Sequence, residues 1–187
     1  MTSNPFYKDL NPISFLDRSA HVYPDKPALN YGDITYTYQD FYNRVNKLAG
    51  ALQKEGIKKG DRVGFLVPNI PAMFEGHYGP LKIGAVLVAI NTRLSAREVS
   101  YILNHSGAKV LVFDSEYAEL INQIENELPK ITRFVQVVDT FPKSSLVEGP
   151  EYEEFLDSAG PGEHRVPLES ESDPISINYT SGTTGMP

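Results

Sequence analysis

The sequence contains no cysteine, and this absence excludes disulfide bonds and thiolate metal sites. It also has no excess of basic residues, since Lys and Arg number 17 against 24 Asp and Glu, giving a formal net charge of −7. Because a nucleic-acid surface needs a basic stripe, we expect no nucleic-acid partner. An anionic ligand would have to be held by local dipoles, because the overall field of the protein opposes it.

Long apolar runs are absent as well. The longest one, residues 85–90, is far shorter than the roughly 20 residues that a membrane-spanning helix requires. Residues 1–9 lack the basic and apolar regions of a secretory signal. We therefore expect no membrane span, and together with the lack of cysteine this favours a cytoplasmic location.

Alternating strand and helix patterns dominate the chain. Predicted strands cover residues 61–67, 85–90, 109–113, 134–138 and 175–179, with a small hairpin at 28–36. Predicted helices cover residues 13–23, 37–55, 95–105, 117–128 and 151–157, and a further, imperfect helix opens at residue 69. Repeated strand–helix units predict an α/β fold, in which a parallel sheet is flanked by helices on both faces and joined by right-handed crossovers. A small helix and hairpin segment precedes this core.

Two helix starts carry a capping box. Thr37 is followed three residues later by Asp40, and Ser95 by Glu98, so each pair can satisfy free N–H groups at a helix N-terminus. Gly107 is suited to end the second of these helices, because glycine accepts the left-handed conformation.

The helix that begins near residue 69 has a less regular pattern. Asn69 is the predicted cap and Pro71 lies in the first turn. Gly76, Gly79 and Pro80 interrupt the apolar spacing, so we expect a kink or a break in this helix.

The last residues combine a strand with a turn that is rich in glycine and hydroxyl groups. Residues 175–179 alternate in the manner of a strand, and the following residues are Thr180, Ser181, Gly182, Thr183, Thr184, Gly185, Met186 and Pro187. Glycines allow backbone N–H groups to approach an anion closely, and the hydroxyls can also donate hydrogen bonds to phosphate oxygens. The Thr180 hydroxyl is a candidate ligand for Mg²⁺.

This turn differs from the P-loop of kinases and ATPases. A P-loop has four residues between its glycines and then Gly-Lys-Ser/Thr, whereas Gly182 and Gly185 are three apart and no lysine follows. By itself, the stretch is more typical of a flexible Ser/Thr/Gly tail. Its place after a strand of a parallel sheet favours phosphate binding, because ligands of such sheets bind beyond the carboxyl ends of the strands.

Residues 179–187 also carry a resemblance to a known family. Tyr-Thr-Ser-Gly-Thr-Thr-Gly-Met-Pro matches the signature of the adenylate-forming superfamily as far as its proline, and residues 59–69, 82–94 and 98–111 resemble the first core strands and helices of that family. The residues Ile90-Asn91-Thr92-Arg93 resemble those of acyl-CoA synthetases, whereas peptide-synthetase adenylation domains more often have an aspartate there.

The resemblance implies a fatty-acid–CoA ligase type of activity. In that family a carboxylate attacks ATP to give acyl-AMP and pyrophosphate, and CoA then displaces AMP, so ATP, Mg²⁺ and CoA are the implied cofactors. A small carboxylic acid, expected to be a fatty acid, is the implied substrate. The implied phosphate-binding residues are Thr180, Ser181, Gly182, Thr183, Thr184 and Gly185, with Thr180 near the metal, and no catalytic residue is expected in this chain.

The same resemblance implies that the chain is an N-terminal fragment of a larger adenylate-forming domain, inactive by itself. We expect a lead-in at residues 1–57, a β/α core at 58–139, a loop and linker at 140–174, and the strand and truncated turn at 175–187. Two alternatives stay open: a standalone nucleotide-binding or scaffold module, and another adenylate-forming ligase with an acceptor other than CoA. A sheet cut from a larger domain would leave an unpaired edge, and this predicts self-association, for example as a homodimer.

The histidines show no metal-ligand spacing. His21, His77, His105 and His164 are scattered along the chain, and we predict a structural or surface role for each.

Overall fold

A computed structural model describes residues 10–167 and 170–180. The helices are α1 (Pro12–Val22), α2 (Tyr38–Lys54), α3 (Pro71–Lys82), α4 (Ala96–Ser106), α5 (Ala118–Ile124) and α6 (Tyr152–Asp157). The strands are β1 (Pro27–Tyr31), β2 (Ile34–Thr37), β3 (Arg62–Leu66), β4 (Val86–Ala89), β5 (Ala108–Asp114), β6 (Arg133–Val137) and β7 (Ser176–Asn178).

The main sheet has five strands in the order β6-β5-β3-β4-β7, and all of its pairings are parallel. In chain order, β4 lies on one side of β3, β5 and then β6 lie on the other side, and β7 pairs with the free edge of β4. Strands β1 and β2 form the predicted antiparallel hairpin, which is separate from this sheet.

Helices cover both faces of the sheet. On one face, α2 and α6 pack through residues such as Leu48, Leu52 and Phe155 against a buried layer that includes Phe65. On the other face, α4 and α5 pack in a second buried cluster that includes Leu66. Neighbouring residues of β3 point to opposite faces because side chains alternate along a strand. The predicted α/β fold with a parallel sheet between helices is confirmed.

Both predicted capping boxes form. In α2, the amide of Asp40 donates to the Thr37 hydroxyl while the Asp40 carboxylate accepts from the Thr37 amide. Ser95 and Glu98 make the same reciprocal pair at α4, and Gly107 ends that helix with a φ of +66°.

The prediction for the start of α3 is wrong. Ile70, not Asn69, occupies the N-cap position, and no side chain caps this helix. A break in the helix is not observed either, since α3 is assigned without interruption from Pro71 to Lys82. Pro80 lies in the last turn, where its missing N–H removes a single intrahelical hydrogen bond.

The glycines of α3 allow close packing instead of ending the helix. A Cβ atom at Gly79 would overlap the Leu48 side chain of α2, and one at Gly76 would overlap the ring of Phe65 in β3. The helix therefore approaches its neighbours more closely than an alanine would permit. The sequence pattern could not distinguish this use of glycine from a helix stop.

The helix predicted over residues 117–128 is shorter than expected. A 3₁₀ turn at Ser115–Tyr117 precedes α5, and a second one at Glu125–Glu127 follows it. Such turns are frequent at helix ends, and Pro129 disfavours helical geometry in the residue before it. Other observed bounds differ from the predicted ones by a few residues.

Candidate phosphate-binding site

The predicted phosphate-binding turn begins at the carboxyl edge of the parallel sheet. Strand β7 pairs with β4 through Leu87↔Ser176, Val88↔Ile177 and Ala89↔Asn178, and the pairing then ends. Thr180 lies two residues beyond the last pair, and it is exposed. The other predicted site residues, Ser181, Gly182, Thr183, Thr184 and Gly185, lie outside the described residues.

The loop that follows β4 lies at the same edge of the sheet. In it, the amide of Arg93 donates to the side-chain oxygen of Asn91 at 2.9 Å, and both residues are exposed. Since β4 is the neighbour of β7, this loop and Thr180 leave adjacent strands in the same direction. The asparagine turn and Thr180 thus lie at one end of the sheet.

Tyr179, the residue before Thr180, is tied to helix α4. Its hydroxyl lies 2.7 Å from Nδ1 of His105, and the two rings meet edge to face with centroids 5.8 Å apart. Tyr101 stacks on the His105 ring, with centroids 5.4 Å apart and an interplanar angle of 15°. Burial raises the pKa of the half-buried Tyr179 hydroxyl.

The sequence gives no sign of this contact. His105 and Tyr179 are 74 residues apart, and His105 is predicted only to have a structural or surface role. The two meet because β7 is placed beside β4, across which helix α4 lies.

The metal-ligating side chains of the described residues are not clustered. Within residues 10–167 and 170–180, no group of three or more histidine and carboxylate side chains is arranged to hold a metal ion. An exposed hydroxyl at Thr180 fits a hard cation as one ligand of several, because Mg²⁺ keeps waters and substrate phosphate oxygens in its shell. A Mg²⁺ ion at this edge would therefore depend on the phosphates for most of its coordination.

A buried ionic network lies on the opposite side of the core, between α2, α3 and α6. Arg44 forms an ion pair with the fully buried Glu75, and Nη1 of Arg44 also donates to Glu153 at 2.9 Å. The Tyr152 hydroxyl donates to the second oxygen of Glu75 at 2.7 Å. Burial raises the pKa of the Glu75 carboxyl, and the hydrogen bonds from Arg44 and Tyr152 oppose this rise. With every oxygen of Glu75 bonded, the network holds three helices together, and we assign it no ligand.

A second buried charge lies at the end of α3. The Lys82 ammonium is 4.1 Å from the centroid of the Tyr42 ring and 3.8 Å from a carboxylate oxygen of Glu163. Burial lowers the pKa of Lys82, and the charge of Glu163 opposes this. Glu163 belongs to a segment that crosses α2, where the amide of His164 donates to the side chain of Asn46 at 2.9 Å. The segment predicted as a surface linker is thus fixed to the helical layer at this point.

The described part of the chain contains no helix that is long and apolar enough to cross a membrane.

Comparison with known proteins identifies the family. The AMP-binding enzyme family matches residues 16–187 of the chain. This chain belongs to that family.

Among curated relatives, it is 35% identical to the peroxisomal butyrate–CoA ligase of Arabidopsis thaliana over 189 aligned residues, which cover 95% of this chain and 33% of the relative. It is 34% identical to 4-hydroxybutyrate–CoA ligase 2 of Metallosphaera sedula, with 97% of this chain and 34% of the relative covered. The chain thus spans about a third of the length of the curated relatives it matches.

Solved structures agree with this assignment. The anthranilate–CoA ligase AuaEII, solved in complex with anthranoyl-AMP, matches with a TM-score of 0.88 at 28% identity, covering all of this chain and 35% of that one. The N-terminal domain of FACL13 from Mycobacterium tuberculosis matches with a TM-score of 0.78 at 34% identity, covering 94% of this chain and 42% of that one. The parallel sheet and its flanking helices therefore match the N-terminal part of solved acyl-CoA ligase structures.

Proposed function

We propose that this chain forms the phosphate-binding part of an ATP-dependent carboxylate–CoA ligase. In this proposal the turn made of Thr180, Ser181, Gly182, Thr183, Thr184 and Gly185 holds the phosphates of ATP, with the Thr180 hydroxyl near Mg²⁺. The observation that carries it is the position of Thr180, exposed at the carboxyl edge of a parallel sheet directly after strand β7. Family membership over residues 16–187 supports the reaction class.

The chemistry assigned to these residues is positioning and charge neutralisation. The substrate carboxylate is itself the nucleophile in adenylate formation, so the protein needs no nucleophilic side chain for this step. Hydroxyl and backbone N–H donors hold the β- and γ-phosphates and stabilise the charge that develops on the departing pyrophosphate. Mg²⁺, when bound, supplies further positive charge at the same oxygens. A threonine or serine hydroxyl of ordinary pKa is not an acid–base catalyst, which agrees with the absence of a predicted catalytic residue.

The proposed substrate is a small monocarboxylic acid, activated and then transferred to CoA. Relatives of similar identity are named for butyrate, 4-hydroxybutyrate and benzoate. A fatty acid is the substrate class that the sequence pattern favours, and short-chain members of that class are the first to test. The proposal that CoA is the acceptor rests on the names of the relatives. An acceptor other than CoA would be recognised by adenylate formation without thioester formation.

We also propose that the chain does not complete this reaction alone. It covers about a third of its relatives, so the parts of those proteins beyond the match are available to hold adenine, the acid and CoA. A few hydrogen bonds from one turn, each worth about 0.5–1.5 kcal/mol, must also offset the cost of ordering that turn. ATP should consequently bind to the isolated chain more weakly than about 1 mM.

A fusion protein provides the test. The matched third of the Arabidopsis butyrate–CoA ligase is replaced by this chain, and ATP–pyrophosphate exchange is measured with butyrate, benzoate and a long-chain fatty acid. We expect exchange from the fusion, none from the isolated chain, and loss of exchange when EDTA removes Mg²⁺. Thioester formation is then measured with CoA, and its failure despite exchange would indicate another acceptor.

Single substitutions identify the phosphate-binding residues in the same fusion. Thr183→Ala and Thr184→Ala should each lower exchange about ten- to a hundredfold, the effect of losing a hydrogen bond to a charged group. Thr35→Ala, which removes a hydroxyl from the exposed β2 strand, is the matched control and should leave exchange unchanged. ATP–pyrophosphate exchange that neither substitution lowers would refute the proposed binding of phosphates by these residues. Exchange by the isolated chain above that of a denatured control would refute the proposal that the chain does not complete the reaction alone.

The cytoplasmic location remains a prediction. Some relatives are named as peroxisomal proteins, including the Arabidopsis butyrate–CoA ligase. Imaging of a tagged protein in its own cell would distinguish the two compartments.

A further inference from the structure

The strand that leads into the proposed phosphate-binding turn is weakly held by its own backbone. Strand β7 makes only three residue pairs with β4, whereas β5 and β6 make five. Its side chains at Ser176 and Asn178 are exposed, and only Ile177 between them is half-buried. The backbone pairing therefore ends at Asn178, and beyond it the described chain is held through Tyr179, which is half-buried and packs against the cluster of α4 and α5.

A side-chain contact begins where the ladder ends. Tyr179 is the first residue after β7, and its hydroxyl meets Nδ1 of His105 at 2.7 Å. The contact is available in either tautomer of the imidazole: an Nδ1 without hydrogen accepts the phenolic proton, and an Nδ1 that carries hydrogen donates to the phenolic oxygen. Tyr101 stacks on the His105 ring and limits its rotation.

His105 stands on a helix that is fixed at both ends. The Ser95 capping box holds the start of α4, and Gly107 closes its end. The side-chain amide of Asn104, next to His105, donates to the Glu127 carbonyl at 3.0 Å and so ties the last turn of α4 to the segment after α5. Buried Val99, Ile102 and Leu103 face the core. A residue in this last turn is therefore well fixed and can hold the end of the short strand β7.

We propose that His105 is a positioning residue whose hydrogen bond to the Tyr179 hydroxyl fixes the direction in which the chain leaves β7 and so presents Thr180 to the phosphates of ATP. The proposal rests on the proposed function of the phosphate-binding turn. His105 would not touch ATP itself and would act only through Tyr179.

The first experiment is independent of catalysis. Amide hydrogen exchange of residues 176–180 is measured in the isolated chain and in its His105→Phe and Tyr179→Phe variants, which keep an aromatic ring but lose the hydrogen bond. Both variants should exchange about two- to tenfold faster in this segment, the effect of one net hydrogen bond. His105→Asn places a polar atom near the position of Nδ1 and should restore part of the protection. His77→Phe, an exposed histidine on α3, is the control and should change nothing.

The second experiment uses the fusion protein described above. His105→Phe and Tyr179→Phe should raise the KM for ATP or lower kcat of pyrophosphate exchange about two- to tenfold, while the KM for the acid stays constant and His105→Asn recovers part of the loss. A merely structural role would instead lower the amount of folded enzyme and leave the KM for ATP unchanged.

The two experiments separate failure of this inference from failure of the proposed function. A fusion that is inactive even with His105 and Tyr179 intact would count against the proposed function, and hydrogen exchange would then decide whether His105 orders the end of β7. The positioning role would be overturned if both phenylalanine variants left amide hydrogen exchange unchanged. It would also be overturned by an active fusion in which neither variant changed the KM for ATP or kcat.

Discussion

Replacing Arg44 with methionine should be among the most destabilising changes in this protein. Its partner Glu75 has a fully buried side chain, and the Arg44 side chain is only 18% exposed. Removing one member of a buried ion pair leaves an uncompensated charge and costs about 3–5 kcal/mol. Because small domains have a total stability of roughly 5–15 kcal/mol, the variant should be much closer to unfolding than the wild-type protein.

The same helix provides a matched control. Lys47, one turn after Arg44, pairs with Asp157 of α6 at 2.7 Å, but the two side chains are 51% and 71% exposed. Exposed ion pairs contribute about 0–1 kcal/mol, so Lys47→Met should have little effect on the free energy of unfolding. Both cations lie on α2, and each pairs with a carboxylate on a neighbouring helix, Glu75 of α3 for Arg44 and Asp157 of α6 for Lys47, so the comparison tests the effect of burial.

The loss caused by Arg44→Met should depend on pH. Burial already raises the pKa of Glu75 above its ordinary value of 4.5, and Arg44 is the main influence that lowers it. Without Arg44 the folded-state pKa rises further, while the unfolded-state value is unchanged. A carboxyl with a raised folded pKa contributes stability at low pH that is lost as the pH rises through that pKa. The destabilisation relative to wild type should thus be smaller at about pH 5 than at about pH 7.

Urea unfolding followed by circular dichroism measures these differences. If Arg44→Met is too unstable to fold at neutral pH, adding Glu75→Gln removes the stranded charge and should recover part of the stability. The reasoning would be refuted by a loss below about 1 kcal/mol, the range of an exposed pair. A loss that is equal at both pH values, or a double variant less stable than Arg44→Met alone, would refute it as well.

Three further predictions concern a close-packed glycine, a helix cap and the edge of the sheet. Gly79→Ala should destabilise the protein by about 1–3 kcal/mol in thermal unfolding, despite the higher helix propensity of alanine, because the new methyl group overlaps Leu48; a gain in stability would contradict the close approach of α3 to α2. Ser95→Ala should cost about 0.5–2 kcal/mol through loss of its capping box, measured by urea unfolding, and Ser95→Thr should retain most of it; equal losses would argue against the cap. Strand β7 is the last strand of the described sheet and has one unpaired edge, so the isolated chain should self-associate, and light scattering that finds only monomer at high concentration would exclude this.

Local patterns in the sequence determined most of the elements of this protein. Capping boxes at Thr37 and Ser95 and the glycine stop at Gly107 are set by residues within one turn of each other, so they are readable before folding. The alternation of strands and helices also predicted the parallel sheet with two covered faces. The phosphate-binding turn stays a prediction, made from contiguous residues at the end of the sequence and from their resemblance to a family signature.

Contacts between distant residues were decided only by the tertiary structure. The sequence marks Gly76 and Gly79 as helix breakers, but their neighbours Phe65 and Leu48 make them sites of close packing within an intact helix. Tyr179 meets His105 only because β7 takes its place beside β4, on the far side from β5 and β6. No local pattern specifies such a partner, since strand order depends on the sum of packing energies over the whole sheet and not on the residues adjoining either side chain.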